Sequence, residues 1–213
     1  MTPSLRLTLF QRLAALNPKP ETELLYTSHF ELMLAVMLSA QSTDKKVNEV
    51  TRVLFAQANT PEAIIKLGEE KLRIIIKSVN YYLTKAKHII ATCQMLTQHY
   101  HGEVPNDRKA LESLPGIGRK TANVILNVAF GHPTIAVDTH IFRVANRTGL
   151  APGKTPLEVE EKLEKTIDPR YLPQAHHWRV LHGRYICTAR LPHCPICPIR
   201  DLCEYKNKTK SVK

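Results

Sequence analysis

Leu114-Pro115-Gly116-Ile117-Gly118-Arg119-Lys120-Thr121 is the stretch on which the fold turns. It lies between a short helical segment near Leu111 and an apolar helical pattern running to Phe130. A P-loop needs glycine at positions 114 and 119, where this chain has Leu and Arg, so that reading fails twice. What remains is a tight hairpin joining two helices. Gly116 and Gly118 let backbone N–H groups approach a phosphate at the positive end of the second helix. An ordinary glycine-containing helix–helix turn shares this spacing. Two glycines around one apolar residue, followed at once by Arg119-Lys120, favour phosphate binding. Lys120 falls in the first turn of that helix, where the dipole disfavours a cation and favours the neutral amine. A neutral amine is a nucleophile able to form a Schiff base.

Outward from the hairpin the periodicity is helical nearly throughout. No sustained period-2 alternation bounded by hairpin turns occurs, so the expected fold class is all-α. Phe30 to Leu38 is apolar on most faces and describes a buried helix. Thr43 and Asp44 are N-cap types ahead of Val47, Val50 and Leu54. Thr60-Pro61 opens a short helix that Gly68 closes. Ala86, Ile89, Ile90, Cys93, Leu96 and Tyr100 form one stripe, on which Cys93 is a small core hydrophobe. Thr155-Pro156-Leu157-Glu158 is a capping box. Trp178, Leu181, His182 and Tyr185 mark a helix running into the last cysteines. Lys206 to Lys213 holds four lysines in eight residues and reads as a frayed, solvated end.

Composition bounds the rest. A chain of 213 residues makes one large domain or two small ones. Its apolar fraction of 43% is enough for a sizeable core and excludes disorder as a whole-chain description. No apolar run reaches the roughly 18 residues of a spanning helix. Arg6, Gln11 and Arg12 interrupt any secretory segment within Met1 to Asn17. The expectation is a soluble cytoplasmic protein without a membrane partner. Thirty Lys+Arg against nineteen Asp+Glu give +11, a balance that suits a polyanionic partner.

Two further sites carry chemistry. Asp138, within Ile135-Ala136-Val137-Asp138-Thr139-His140-Ile141, precedes a helical pattern and is first of all an N-cap. A capping carboxylate can also face a neighbouring cleft; His140 reads as structural. Four of the five cysteines, Cys187, Cys194, Cys197 and Cys203, crowd into a 17-residue segment. Without a secretory signal they argue for a metal centre over a disulfide framework. Structural zinc usually pairs two Cys-x2-Cys knuckles, whereas this spacing holds one, so iron–sulfur is favoured over zinc.

Taken in order, Leu38-Ser39-Ala40-Gln41-Ser42-Thr43-Asp44, Leu114 to Ala122, Val137-Asp138-Thr139-His140 and the cysteine spacing carry a resemblance. The chain resembles the bacterial endonuclease III family, the thymine glycol-type DNA glycosylases and abasic-site lyases of the helix-hairpin-helix superfamily. The resemblance spans about Phe30 to Tyr205. It implies two all-α domains with a cleft between them. One is a six-helix domain over 22–132 holding the hairpin; the other joins 1–21 to 133–213 and carries a 4Fe–4S cluster loop at 187–203. Lys120 and Asp138 match the family's catalytic pair, and Gln41 matches the residue inserted where a nucleotide is extruded. Leu114, Gly116, Gly118 and Arg119 become DNA-binding positions. The family's second wedge loop usually reads Gly-aliphatic-Tyr-Asn, while this chain has Asn80-Tyr81-Tyr82-Leu83. Asn80 would then take the left-handed conformation of the glycine, and Tyr81 would be the wedge.

The implied activity is base-excision removal of oxidised pyrimidines, with strand cleavage by β-elimination through a lysine Schiff base. The implied partner is double-stranded DNA holding oxidised pyrimidines or abasic sites, met by a monomer. An adenine-type glycosylase of the superfamily lacks the lysine and carries an additional C-terminal domain, whereas this chain ends within 10 residues of Cys203. A non-catalytic hairpin DNA-binding module needs no Lys120–Asp138 pair, and a zinc-dependent nucleic-acid regulator is separable by metal analysis.

Overall fold

The computed structural model describes residues 1–210 and, among them, eleven α-helices and no strand. In chain order these are α1 (Pro3–Leu16), α2 (His29–Ser39), α3 (Asp44–Phe55), α4 (Pro61–Leu67), α5 (Glu69–Ile76) and α6 (Tyr82–His99). They continue with α7 (Arg108–Ser113), α8 (Arg119–Phe130), α9 (Thr139–Thr148), α10 (Pro156–Thr166) and α11 (Leu172–Leu181). Two compact units divide them. One is Thr22–Phe130; the other combines Met1–Glu21 with Gly131–Lys213. None of the described helices is long and apolar enough to cross a membrane.

In the Thr22–Phe130 unit α2 is the centre, with every residue from Phe30 to Leu38 buried. Helices α3, α6 and α8 pack around it, so a helix apolar on all faces finds apolar partners on each. Ser28 starts α2 by accepting the Glu31 N–H at 3.1 Å. The Glu31 carboxylate turns back to the Thr27 N–H and hydroxyl at 2.6 and 2.8 Å, which allows a carboxylate to be buried there. Thr43, Thr60 and Asp107 cap α3, α4 and α7 through their side-chain oxygens. Gly68, with φ of 81°, closes α4 and opens α5. Because of that break the unit carries seven helical segments where six were implied. Cys93 is fully buried on α6, where burial pushes its thiol up to about 12, and it behaves as part of the core.

The second unit gathers α1 and α9–α11 around Leu9, Phe10, Ile141, Leu163 and Trp178. Phe10, Tyr171 and Trp178 form a ring cluster with centroids 5.9, 6.3 and 6.0 Å apart. The Trp178 indole N–H donates to the Asn17 carbonyl at 2.7 Å, satisfying both its own polar edge and the chain end of α1. Thr155 opens α10 as the sequence pattern requires. Helix α11 continues through a π-helical turn, His182–Ile186, straight into Cys187. Arg12 of α1 grips Asp201 with two bonds of 2.6 and 2.9 Å and the Pro198 carbonyl at 3.0 Å.

The expected frayed tail is corrected up to residue 210. The Thr209 hydroxyl donates to the Pro192 carbonyl at 2.5 Å and accepts the Cys194 N–H at 3.2 Å, and Lys208 donates to the Cys203 carbonyl at 2.5 Å. Cysteine-loop carbonyls and amides needed partners, and the tail supplies them. The rest of that tail, 211–213, lies outside the described residues.

Ile89 is fully buried on α6, while Ile74 on α5 is 66% exposed. Ile89→Ala is expected to cost about 2–5 kcal/mol of stability, and Ile74→Ala within about 0.5 kcal/mol of none. Urea unfolding of the two variants measures the contrast.

Candidate functional site

The hairpin is anchored from beneath. Leu114 and Ile117 are 2% and 4% exposed, and the Pro115 carbonyl accepts the Thr92 hydroxyl at 3.0 Å. Leu114 belongs to the turn through its backbone. Its apolar body sits in the core, its N–H donates to Leu111 and its carbonyl accepts the Ile117 N–H. It shapes the turn that others present. Gly116 has φ of 80°, and a Cβ there would lie 2.7 Å from His88 Nδ1 and 3.0 Å from His88 Cβ. Only glycine fits. At Gly118 a Cβ would meet nothing within 4 Å, so this position opens outward.

The Gly118 carbonyl accepts the Ala122 N–H at 2.9 Å, which makes Gly118 the capping residue of α8. Glycine has no side-chain oxygen to offer the first-turn N–H groups. Helices α2, α3, α4, α7, α9 and α10 all receive one from Ser, Thr or Asp. Arg119 and Lys120 stand exposed in that first turn. The arrangement is an outward-facing glycine at a helix's positive end, with two basic side chains beside it.

Asp138 is the N-cap of α9, as its sequence position indicates. Oδ1 accepts the Ile141 N–H at 2.8 Å and Oδ2 meets His140 Nδ1 at 2.8 Å. The carboxylate is half-buried, 17% exposed. A third charged group behind it was missed by sequence reasoning. Arg179 of α11 is 1% exposed; burial lowers its pKa to about 9, and the negative charge of Asp138 opposes that lowering. The available signal was an arginine on the apolar stripe that runs from Ala175 through Trp178 to His182.

Gln41 and Tyr81 are both exposed, and both have φ of 57°. Asn80 does not take the left-handed conformation; Tyr81 does. The physical reason is the Asn80 side chain, which is committed elsewhere: its amide donates to the Gln41 carbonyl at 2.5 Å. Lys85, a buried lysine that the periodicity concealed, donates to the Leu38 and Ala40 carbonyls at 2.7 Å each. Burial lowers its pKa, yet its amine is tied to the last turn of α2 and is not presented as a nucleophile.

Cys187, Cys194, Cys197 and Cys203 line one cavity in the second unit. None of them is in a disulfide. Among the described residues no group of three His, Cys, Asp or Glu side chains is gathered to hold a single ion. Burial pushes the Cys197 thiol up to about 11, with the neighbouring cysteines adding to it, and burial raises Cys203 as well. The sulfurs nevertheless have donors. Arg147 Nη1 reaches Cys187 Sγ at 3.5 Å, the Tyr205 N–H reaches Cys203 Sγ at 3.5 Å, and His182 Nε2 lies 3.7 Å from Cys197 Sγ.

Residues 34–169 match the family model of the HhH-GPD superfamily base excision DNA repair proteins. Endonuclease III of Escherichia coli (strain K12) is 56% identical over 208 residues, covering 98% of this chain and 99% of that protein. The chain is a member of the endonuclease III family. Endonuclease III of Haemophilus influenzae (strain ATCC 51907 / DSM 11121 / KW20 / Rd) is 55% identical over 210 residues, covering 99% of this chain and all of that protein. A solved structure of a trapped endonuclease III–DNA covalent intermediate, an estranged-adenine complex, superposes with a TM-score of 0.90 at 44% identity, covering 96% of each chain. Membership in the endonuclease III family makes this chain a base-excision DNA glycosylase and abasic-site lyase.

The two hairpin glycines should separate in experiment. Gly116→Ala combines a positive φ with overlap on His88 and should cost about 1–2 kcal/mol or more of stability. Gly118→Ala should cost about 1 kcal/mol or less, yet weaken DNA binding because its new methyl enters the open side. Chemical denaturation alongside DNA titration at fixed salt reads both.

Proposed function

We propose that Lys120 and Asp138 are the catalytic pair through which this enzyme removes oxidised pyrimidines from duplex DNA and cleaves the abasic site. The observation that carries this reading is Lys120 exposed in the first turn of α8, directly after a glycine cap. The hairpin N–H groups and Arg119 hold a phosphate, and Lys120 is thereby placed against the sugar of the same strand. The damaged nucleotide leaves the stack, most easily where pairing or stacking is already weakened. Gln41 and Tyr81 fill the gap it leaves.

Lys120 attacks C1′ as the neutral amine, the C1′–N bond to the base breaks, and the base departs with a proton. The amine loses its protons as the sugar ring opens to an imine between Nζ and C1′. Asp138 stabilises the positive charge that develops on the sugar and helps to move these protons. The imine draws electrons from C2′ as that carbon loses a proton, and the C3′–O bond breaks with the phosphate as leaving group. Water then hydrolyses the imine and restores the lysine.

Cys187, Cys194, Cys197 and Cys203 are the residues that would hold a 4Fe–4S cluster. The fit rests on four thiols around one cavity with N–H donors aimed at their sulfurs, a pattern that complements the charge of a thiolate-bound cluster. When bound, a cluster ligated by four thiolates supplies folding and positioning of this loop rather than an open coordination position. Around it Arg143 and Arg147 of α9 bind the carbonyls of Gly183, Cys187, Thr188 and Ala189 at 2.7–2.8 Å.

Borohydride reduction on abasic-site DNA tests the chemistry. The unaltered protein should cross-link, and Lys120→Gln should lose the cross-link while still binding DNA; undiminished trapping would move the nucleophile elsewhere. Asp138→Asn should lower turnover far more than affinity.

Metal analysis tests the loop. Anaerobically purified protein should be brown and contain iron, Cys93→Ala should keep that iron, and Cys197→Ala should lose it. One zinc per chain without iron would defeat the assignment.

A further inference from the structure

The turns that carry Gln41 and Tyr81 are cross-linked by hydrogen bonds between side chains and backbone in a way their separation in sequence does not suggest. Segment 38–42 is the end of α2, and segment 80–85 is the start of α6. Four hydrogen bonds join them. Asn80 Nδ2 donates to the Gln41 carbonyl at 2.5 Å and the Asn80 N–H donates to Ser42 Oγ at 3.2 Å. Lys85 Nζ donates to the carbonyls of Leu38 and Ala40, both at 2.7 Å. Every one of these bonds engages backbone or Ser42. The side chains of Gln41 and Tyr81 stay outside, and that of Tyr81 is 65% exposed.

Both turn residues hold a left-handed backbone, which L side chains adopt only where the surroundings fix it. Gln41 lies just past the cap of α2, a place where glycine is the usual occupant. Tyr81 is itself the N-cap of α6, where the extended conformation is usual, with φ 57° and ψ 30°. The end of α2 offers carbonyls without helical partners, and a buried lysine is the donor best suited to that negative end. Thus the bonds that compensate for unusual backbone at one turn come from the residues of the other.

We infer that Asn80 and Lys85 are positioning residues that lock the Gln41 and Tyr81 turns into one two-pronged element, so that both side chains enter the duplex together. The inference rests on the gap-filling reading of Gln41 and Tyr81 given above. Two independent loops would each lose conformational freedom on binding, whereas a locked pair has lost it on folding. Residues that act as a unit show strongly non-multiplicative effects when removed singly and together.

The test is a double-mutant cycle on the full chain. Single-turnover cleavage of duplex abasic DNA is measured for Gln41→Ala, Tyr81→Ala and their combination, with Asn80 intact and again with Asn80→Ala. With Asn80 intact, each single variant should fall nearly as far as the combination. In the Asn80→Ala background the two losses should multiply, and Asn80→Ala alone should slow duplex cleavage about fivefold, as expected for one lost hydrogen bond. Asn80→Asp keeps the shape but replaces the donor with an acceptor facing a carbonyl, and should lose the coupling too. Cleavage of single-stranded abasic DNA, which presents no gap, should be unchanged in Asn80→Ala, and the thermal midpoint of that variant should fall by only the few degrees expected for one lost hydrogen bond. Lys85→Met removes buried donors and is read only by its folding, so Asn80 bears the test. Coupling that survives both Asn80 variants would overturn the lock while leaving gap filling intact. If Gln41→Ala and Tyr81→Ala each cleave duplex DNA at the original rate, gap filling falls and the lock with it.

Discussion

A helix ends with backbone groups that have no partner within the helix, and in this chain the choice of outside partner at each end organises the chemistry. At the start of α9 the partner is the Asp138 carboxylate. The end of α2 is served by the Lys85 ammonium. At the start of α8 the capping residue is Gly118, which brings no side-chain oxygen at all. Several other helices start on a Ser, Thr or Asp cap, as at Ser28, Thr43, Thr60, Asp107 and Thr155, whereas α5 and α6 start on Gly68 and Tyr81 without one. At Gly118, where a Cβ would meet nothing within 4 Å, the missing side chain leaves the positive end of α8 suited to an anion from outside the protein. The +11 balance of the chain then adds long-range attraction for the same kind of ligand.

The cysteine segment shows the same accounting. Its carbonyls are taken by guanidinium groups from two helices. Arg143 and Arg147 reach it from α9, and Arg12 from α1 holds Pro198 and Asp201. Arg147 also lies over the Tyr205 ring, 4.7 Å from its centroid. Arginine suits this task because its fork of donors can satisfy several carbonyls from one rigid plane. One consequence reaches α9 as a whole: the helix that begins at Asp138 is fastened, near its far end, to the loop that bears the four thiols. The integrity of the loop and the placement of the Asp138 carboxylate are therefore linked through a single ten-residue helix.

What the sequence disclosed was whatever depended on neighbours close along the chain. The caps at Thr43, Thr60 and Thr155 follow from short spacing, as do the buried run Phe30–Leu38 and the core placement of Cys93. The exposed lysine after the glycine pair and the capping Asp138 were legible for the same reason. The misreadings concern partners distant in sequence. Asn80 was given the left-handed turn on its own propensity, but a bond to Gln41, 39 residues away, claims its side chain and passes that backbone to Tyr81. That the Leu114 side chain turns into the core is likewise decided by residues packed beneath it. The bonds of Thr209 and Lys208 do not show in the sequence, because nothing local reveals that Pro192, Cys194 and Cys203 await them. Arg179 and Lys85 follow the same logic, since a buried charge is intelligible only through groups brought to it by folding.

Asp138 shows how a capping residue and the catalytic residue we propose can be the same carboxylate. An ionised carboxylate has roughly four lone-pair directions, and a cap uses one of them. Here the Ile141 N–H occupies Oδ1 and the His140 ring occupies Oδ2, so both oxygens are oriented by partners two and three residues away. A cap needs an oxygen, and asparagine provides that as well as aspartate does. Catalysis at a developing sugar cation needs the charge, which asparagine lacks. The two roles are thus separable although they share atoms. Selection for the cap alone would accept Ser, Thr, Asn or Asp at this position, and the other side-chain caps of the chain are indeed Ser, Thr or Asp. The charge is reinforced by a guanidinium buried behind it at Arg179, an expensive arrangement that capping does not require. The local geometry therefore aims the Asp138 carboxylate through its cap, with a buried guanidinium behind it.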